Sequence, residues 1–275
     1  MRPSASALSA AVRLTRMLAG TWTVLAGPGD ALAGAWTPPA GQGEIIVTTL
    51  FDQANDGFDQ AGRFTRTPKY RSYQASLYLD YGLTDWLAAT LKPSLQNTTL
   101  GAPDNQKFSG FGDSEIGVRG RVWKSDAAVI SLQALARLPG SAGPAAPSLN
   151  GSKNADFDLR LLGGKNIAVA ALPGFIDVSV GFRARGGKAP NEGRADVSLG
   201  VYLTPGLMLL AQNFNVVSES SRHPANPRWA QSKGQLSLVY SLSAEWRVQV
   251  GGFTTLAGAN AYREYGALLG LWRRF

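Results

Sequence analysis

The chain has 275 residues, with 27 Lys and Arg against 19 Asp and Glu for a formal net charge of +8, and it holds 32 glycines but no cysteine. The lack of cysteine excludes disulfides, thiolate metal sites and cysteine nucleophiles, while glycine mixed with aromatics and short polar residues points to many strands and turns. The positive charge suits contact with anionic headgroups or solutes but is silent on fold, and no nucleic-acid recognition motif accompanies it.

Residues 1–33 read as a signal peptide. Arg2, Arg13 and Arg16 precede an apolar stretch from Met17 to Gly27, and Ala31-Leu32-Ala33 supplies the small residues of a cleavage site. The mature chain is therefore expected to run over 34–275. The apolar stretch is shorter than the roughly 20 residues of a spanning helix, and no later segment reaches that length, so any membrane crossing must be made by strands.

From there the period is two. An opening strand fits near 43–51. In the next, Tyr73, Ala75, Leu77, Leu79 and Tyr81 alternate with Ser72, Gln74, Ser76, Tyr78 and Asp80. Gly82 to Asp85 turns the chain into 86–96, with Leu87, Ala89, Leu91 and Leu95 on one face. The pattern recurs at 111–123 and 127–138, then at about 155–164, 174–185, 194–204, 207–217, 231–241, 246–256 and 262–274. That makes twelve expected strands, each near the ten or so residues that a tilted strand needs to cross a bilayer.

The connections near 82–85, 124–126, 204–206 and 242–245 are tight, whereas 52–68, 100–110, 139–154 and 218–230 read as long loops. The link at 165–173 is intermediate. Transmembrane barrels show this asymmetry, tight turns facing the periplasm. The fold class expected is all-β: a closed antiparallel up-and-down transmembrane barrel in the cell outer membrane, in contact with outer-membrane lipid.

Alternation alone leaves open whether the apolar face meets lipid or a soluble core. Charge placement favours lipid. The polar faces carry Glu44 and Lys92; then Asp113, Glu115, Arg119 and Arg121; then Asp156, Asp158 and Arg160; then Asp177, Arg183 and Arg185; and finally Arg194, Asp196, Lys233 and Arg247. All of these except Glu44 are the candidate lumen-lining residues. The opposite faces are nearly free of charge, as a lipid belt requires. Tyr81, Trp86, Trp123, Trp246 and Trp272 lie next to tight turns or the C-terminus, where an aromatic girdle is expected.

The last strand alternates Tyr265, Ala267, Leu269 and Leu271 toward Phe275. It resembles the C-terminal strand read by the barrel assembly machinery, which with periplasmic chaperones is an expected partner. Arg273 departs from that pattern, and at a rim its side chain can snorkel to headgroups.

Two phrases, YGLTDWLAATLKPSL from Tyr81 to Leu95 and FGDSEIGVRGRVW from Phe111 to Trp123, resemble the barrels of the MetA-pathway of phenol degradation family. They cover about a tenth of the chain and speak to architecture more than to substrate. The mature start, AWTPPAGQGEIIVTTLFDQANDGFDQAGR, looks like the XagA barrels of exopolysaccharide clusters. Both resemblances imply a channel or conduit, for a small solute in one case and a surface polysaccharide in the other.

Enzyme chemistry finds little support. His223 neighbours Ser220, Ser221 and Glu219 but also Pro224 and Pro227, and a solvated loop histidine is the simpler account. The pairs Asp113/Glu115 and Asp156/Asp158 share faces with arginines, which favours cross-strand charge ladders over glycosidase or calcium chemistry. Gly110-Phe111-Gly112 and Gly163-Gly164 precede no helix that could bind an anion. No cofactor and no metal is expected.

Overall fold

A computed structural model describes residues 34–103, 105–141, 154–187, 189–219 and 228–275. The expected signal peptide, most of the 139–154 and 218–230 segments, and His223 with its two serines lie outside these residues.

The described residues form fifteen antiparallel strand segments: β1 (Gly43–Phe58), β2 (Phe64–Gly82), β3 (Leu87–Lys92), β4 (Ser94–Leu100), β5 (Lys107–Phe111), β6 (Ser114–Lys124), β7 (Ala128–Leu138), β8 (Asp156–Val169), β9 (Leu172–Ala184), β10 (Glu192–Thr204), β11 (Leu207–Ser218), β12 (Ala230–Ser241), β13 (Trp246–Ala259), β14 (Ala261–Tyr262) and β15 (Tyr265–Arg274). Three pairs are single spans with a break. Pro93 interrupts β3/β4 because it has no N–H to donate, though its carbonyl still accepts from the Leu77 N–H at 3.1 Å. Gly112-Asp113 parts β5 from β6, and β14/β15 part at Arg263-Glu264. The result is a twelve-span barrel.

Closure comes from β1, which pairs with β2 on one side and β15 on the other, in register from Glu44↔Arg274 to Gln53↔Tyr265. Phe275 and Gly43 exchange backbone hydrogen bonds at 2.8 and 3.0 Å. Hydrocarbon offers no partner to an unpaired edge, so this seam is what allows the sheet to sit in a bilayer.

The period-two pattern sets the facing. Leu95, Ile116, Leu132, Leu159, Leu161, Val180, Leu236, Val250 and Leu269 all point out and are 47–61% exposed, while the positions between them are buried or half-buried. A ring of exposed leucine, valine and isoleucine around the whole wall is a lipid-facing belt, not a water-facing surface. Two polar residues, Asn213 and Asn215, share that face toward the end of β11. Their amides are satisfied within the wall, Asn213 by Ser232 at 3.1 Å and the Lys233 carbonyl at 3.0 Å, Asn215 by the Ala195 carbonyl at 2.9 Å.

Three stretches expected as connections are strand in whole or in part, one of them 100–110, where β5 begins at Lys107. β1 and β2 continue past the bilayer to pair Asp56↔Arg66 and Phe58↔Phe64, so the 52–68 segment is a protruding hairpin turned at 59–63. There is no lipid face above the membrane to impose alternation, which is why its sequence looked like loop. The 165–173 link is likewise tight: β8 and β9 pair as far as Val169↔Leu172, with Ala170 and Ala171 turning at φ 49° and 68°. With that correction, every turn at this end is short.

The aromatic girdle holds in part. Trp86 and Trp123 are more than half exposed at the tight-turn rim, and Arg273 lies over the Trp246 ring at 5.3 Å. Trp272 is the exception. It is buried on the inner face, with its indole Nε1 donating to Gln249 at 3.2 Å.

Candidate functional site

The candidate site is the lumen, built in layers along the barrel axis. Strand parity sends Asp156, Asp158 and Arg160 of β8 inward together, and the register sets them level with Arg183 and Gln133 on the neighbouring strands. Long side chains then bridge spans that sequence spacing does not relate.

The layer nearest the long connections is held by Asp156 and Arg137. Arg137 reaches Asp113 at 2.6 Å and Asp156 at 3.6 Å, while Arg185 reaches Asp156 at 2.9 Å and also pairs with Glu192. In the next layer, Arg183 bridges Asp158 at 2.9 Å and Glu115 at 2.8 Å. Arg160 bridges Asp158 at 2.9 Å and Asp196 at 3.1 Å, and Arg194 meets Glu192 at 3.4 Å. Each arginine here therefore has at least one acid, which is what burial of so many charges demands.

Deeper still, Arg119 pairs with Asp80, whose other oxygen accepts from the Thr90 hydroxyl at 3.1 Å. Arg119 also donates to the Trp36 carbonyl at 2.9 Å. On the far side Lys233 pairs with Glu264, and Arg247 stands level with the buried Trp272. Lys92, in register with Glu115, is exposed to the lumen, and Arg121 is half-exposed beside Ser131. Neither makes a salt bridge among the described residues.

Beside Lys233–Glu264, Glu44–Arg274, Asp52 and Arg247, the opposite wall is lined by amides and hydroxyls: Gln235 donates to Gln212 at 2.8 Å, Gln212 donates to Ser198 at 3.1 Å, and the Ser72 and Thr98 hydroxyls meet at 2.9 Å. The lumen thus has a densely charged side, β6–β10, facing a side richer in amides and hydroxyls.

The sequence reading did not anticipate the segment 34–42. It bends over the tight-turn rim, where Gly41 N donates to the Gly82 carbonyl at 2.9 Å and Ala40 N to Asp85 at 3.1 Å, and runs into the lumen. Ala35 is fully buried there, its N–H donating to Asp177 at 2.7 Å and its carbonyl accepting from Ser131. Trp36 fits against Gly164, where any Cβ would fall about 2.2 Å from its ring. It also packs on two buried clusters, Phe175, Met208, Leu210, Val239 and Trp272 on one side and Val129 and Leu162 on the other. An apolar floor therefore lines the tight-turn end of a lumen that is charged above it. Asp52, Asp80 and Glu264 were also absent from the expected lumen set. Asp52 and Asp80 share the parity of their neighbours, whereas Glu264 sits in a strand break that parity cannot reach.

Among the described residues, no group of three or more His, Asp or Glu is arranged to hold a metal. No family model and no curated protein matches the chain. Solved structures do. The chain is similar to a COG4313 outer membrane channel from Pseudomonas putida F1, at 15% identity and TM-score 0.70 over 88% of this chain and 98% of that one. It is also similar to the NanC porin, at 10% identity and TM-score 0.55 over 82% and 98% of the two chains. A third likeness is the translocator domain of the autotransporter NalP from Neisseria meningitidis, at 15% identity and TM-score 0.52 over 98% of each. The fold is that of outer-membrane barrels. At these identities the likenesses speak for architecture and not for solute.

Proposed function

We propose that this chain is an outer-membrane channel through which small solutes, anionic ones preferentially, pass by diffusion. The observation that carries the reading is a closed ring with an apolar outside and an ionised inside, the arrangement of a water-bearing pore. Anion preference rests on Lys92 and Arg121. They are lumenal cations without a salt bridge among the described residues, whereas the arginines of β7–β10 are neutralised by acids. The chain reaches its place after removal of residues 1–33, with the strand ending at Phe275 presented to the barrel assembly machinery.

Reconstitution in planar bilayers tests this directly. A reversal potential favouring anions, shifted toward cations by Lys92→Glu, is expected. Cation preference in the unaltered barrel, or no shift in the variant, overturns the anionic part.

A second reading is favoured by the apolar floor around Trp36: an assembly barrel linked to a surface polysaccharide, with its lumen shut. Deleting residues 34–42 separates the two. A channel conducts before the deletion and more after it, while a structural barrel is silent before it.

A further inference from the structure

Among the described residues, Asp177 is a buried acid that makes no salt bridge. It points into the lumen from β9, only 6% exposed, and its one hydrogen bond among the described residues comes from the Ala35 N–H. Its neighbours on this wall differ: Asp156, Asp158 and Asp196 each face an arginine at 3.6 Å or less. Arg119 and Asp196, the charged groups that act on Asp177, are committed to Asp80 and Arg160. An uncompensated buried carboxylate costs several kcal/mol, so a partner is to be looked for within reach.

What lies against the carboxylate is Gly34. A Cβ on Gly34, whose φ is 101°, would stand 2.1 to 2.4 Å from the Asp177 carboxyl atoms, so the carboxylate lies against the Gly34 Cα, to which the Gly34 nitrogen is bonded. In an intact peptide that nitrogen is a neutral amide. Directly before it stands the small-residue pattern Ala31-Leu32-Ala33.

We propose that cleavage between Ala33 and Gly34 creates the missing cation, and that the new α-ammonium of Gly34 pairs with Asp177 to latch the 34–42 segment inside the lumen. Hydrolysis by a signal peptidase adds one water, leaving a carboxylate on Ala33 and an amine on Gly34 that takes up a proton. The ammonium brings three donors to a carboxylate that otherwise accepts one. Processing and closure of the tight-turn end then become one event, because the latch does not exist in the precursor. This holds whatever the barrel conducts, and its test needs no conductance.

The full chain is exported in a Gram-negative host and the barrel is purified from outer membranes. Its intact mass is expected to be that of residues 34–275, and any other start overturns the proposal. The folded barrel is then pulsed with acetic anhydride near neutral pH, and acetylation of Gly34 is read by mass spectrometry. Labelling about ten-fold slower than in the urea-unfolded chain is expected, since an ion pair holds the amine in its unreactive form. Asp177→Asn retains an acceptor for the Ala35 N–H but no charge, and should lose the protection. Should that variant fail the heat-dependent gel shift of a folded barrel, one alanine added ahead of Gly34 moves the ammonium off the carboxylate and should act alike. Labelling of the unaltered barrel at the unfolded rate, or protection that survives both changes, overturns the latch.

Discussion

Trp36 stands edge-on to Phe175, ring centroids 6.3 Å apart and planes at 80°, on the apolar floor of a lumen that is charged above it. Edge-to-face rings attract beyond their buried area, so this contact fixes where the 34–42 segment stops.

Trp36→Ala should therefore open the tight-turn end and loosen it together. Removing a packed tryptophan side chain costs about 3 kcal/mol. Single-channel recording should give a higher conductance than the unaltered barrel, with a lower midpoint in denaturant. An unchanged conductance would place the constriction elsewhere.

Arg183 holds Asp158 and Glu115 apart from one another's charge while neutralising both. Arg183→Gln removes the salt bridge of the half-buried Glu115 and leaves Asp158 with Arg160 alone, and breaking a buried pair typically costs up to about 3 to 5 kcal/mol, so a loss toward the lower end is expected. Urea unfolding in detergent micelles should register it, and Arg183→Lys should recover only part, because one ammonium cannot fork as a guanidinium does.

Leu161, near the middle of β8, is 48% exposed on the outer face. Leu161→Arg should destabilise the barrel by about 2 to 4 kcal/mol in lipid, the cost of a cation at the midplane of a barrel surface. The control is Lys165, four residues along the same strand and face and close to the rim, where Lys165→Arg should be neutral. Equal folding of the two variants in liposomes would argue against a membrane belt at this level.

At the outer tip, Asp59 accepts from the Arg63 N–H at 2.9 Å and the Ala61 N–H at 2.8 Å, which hold its carboxyl below the usual aspartate range. A depressed folded pKa means that the tie is present above the ordinary aspartate pKa and is lost as pH falls through the lowered value. Amide exchange at Ala61 and Arg63 should thus accelerate only in strong acid, and Asp59→Asn should blunt that response.

Much of this wall was legible in sequence because a bilayer enforces one rule on every span. The alternation from Tyr73 to Tyr81 and from Ile130 to Leu138 marks both strand and face, and the same parity already puts Trp272 inside, opposite to Leu269 and Leu271. Its place next to the C-terminus points to a girdle instead. Parity names a face but not a neighbour, so Arg183 with Glu115, joined across strands far apart in sequence, could not be paired in advance. The segment around Ala35 and Trp36 has no period at all. It is held by contacts to β6, β7, β8 and β9 that exist only once the ring is formed.

The 34–42 segment is tethered through Gln42 to the start of β1, so it can withdraw in one direction only. Toward the tight-turn rim only its own contacts to Asp177, Ser131, Arg119 and Phe175 hold it; in the other direction the salt-bridged tiers stand above it. Such a stopper makes the barrel unequal toward its two sides, and an applied voltage of one polarity should seat the stopper while the opposite polarity dislodges it. Rectifying current–voltage curves are the signature of that one-way tether.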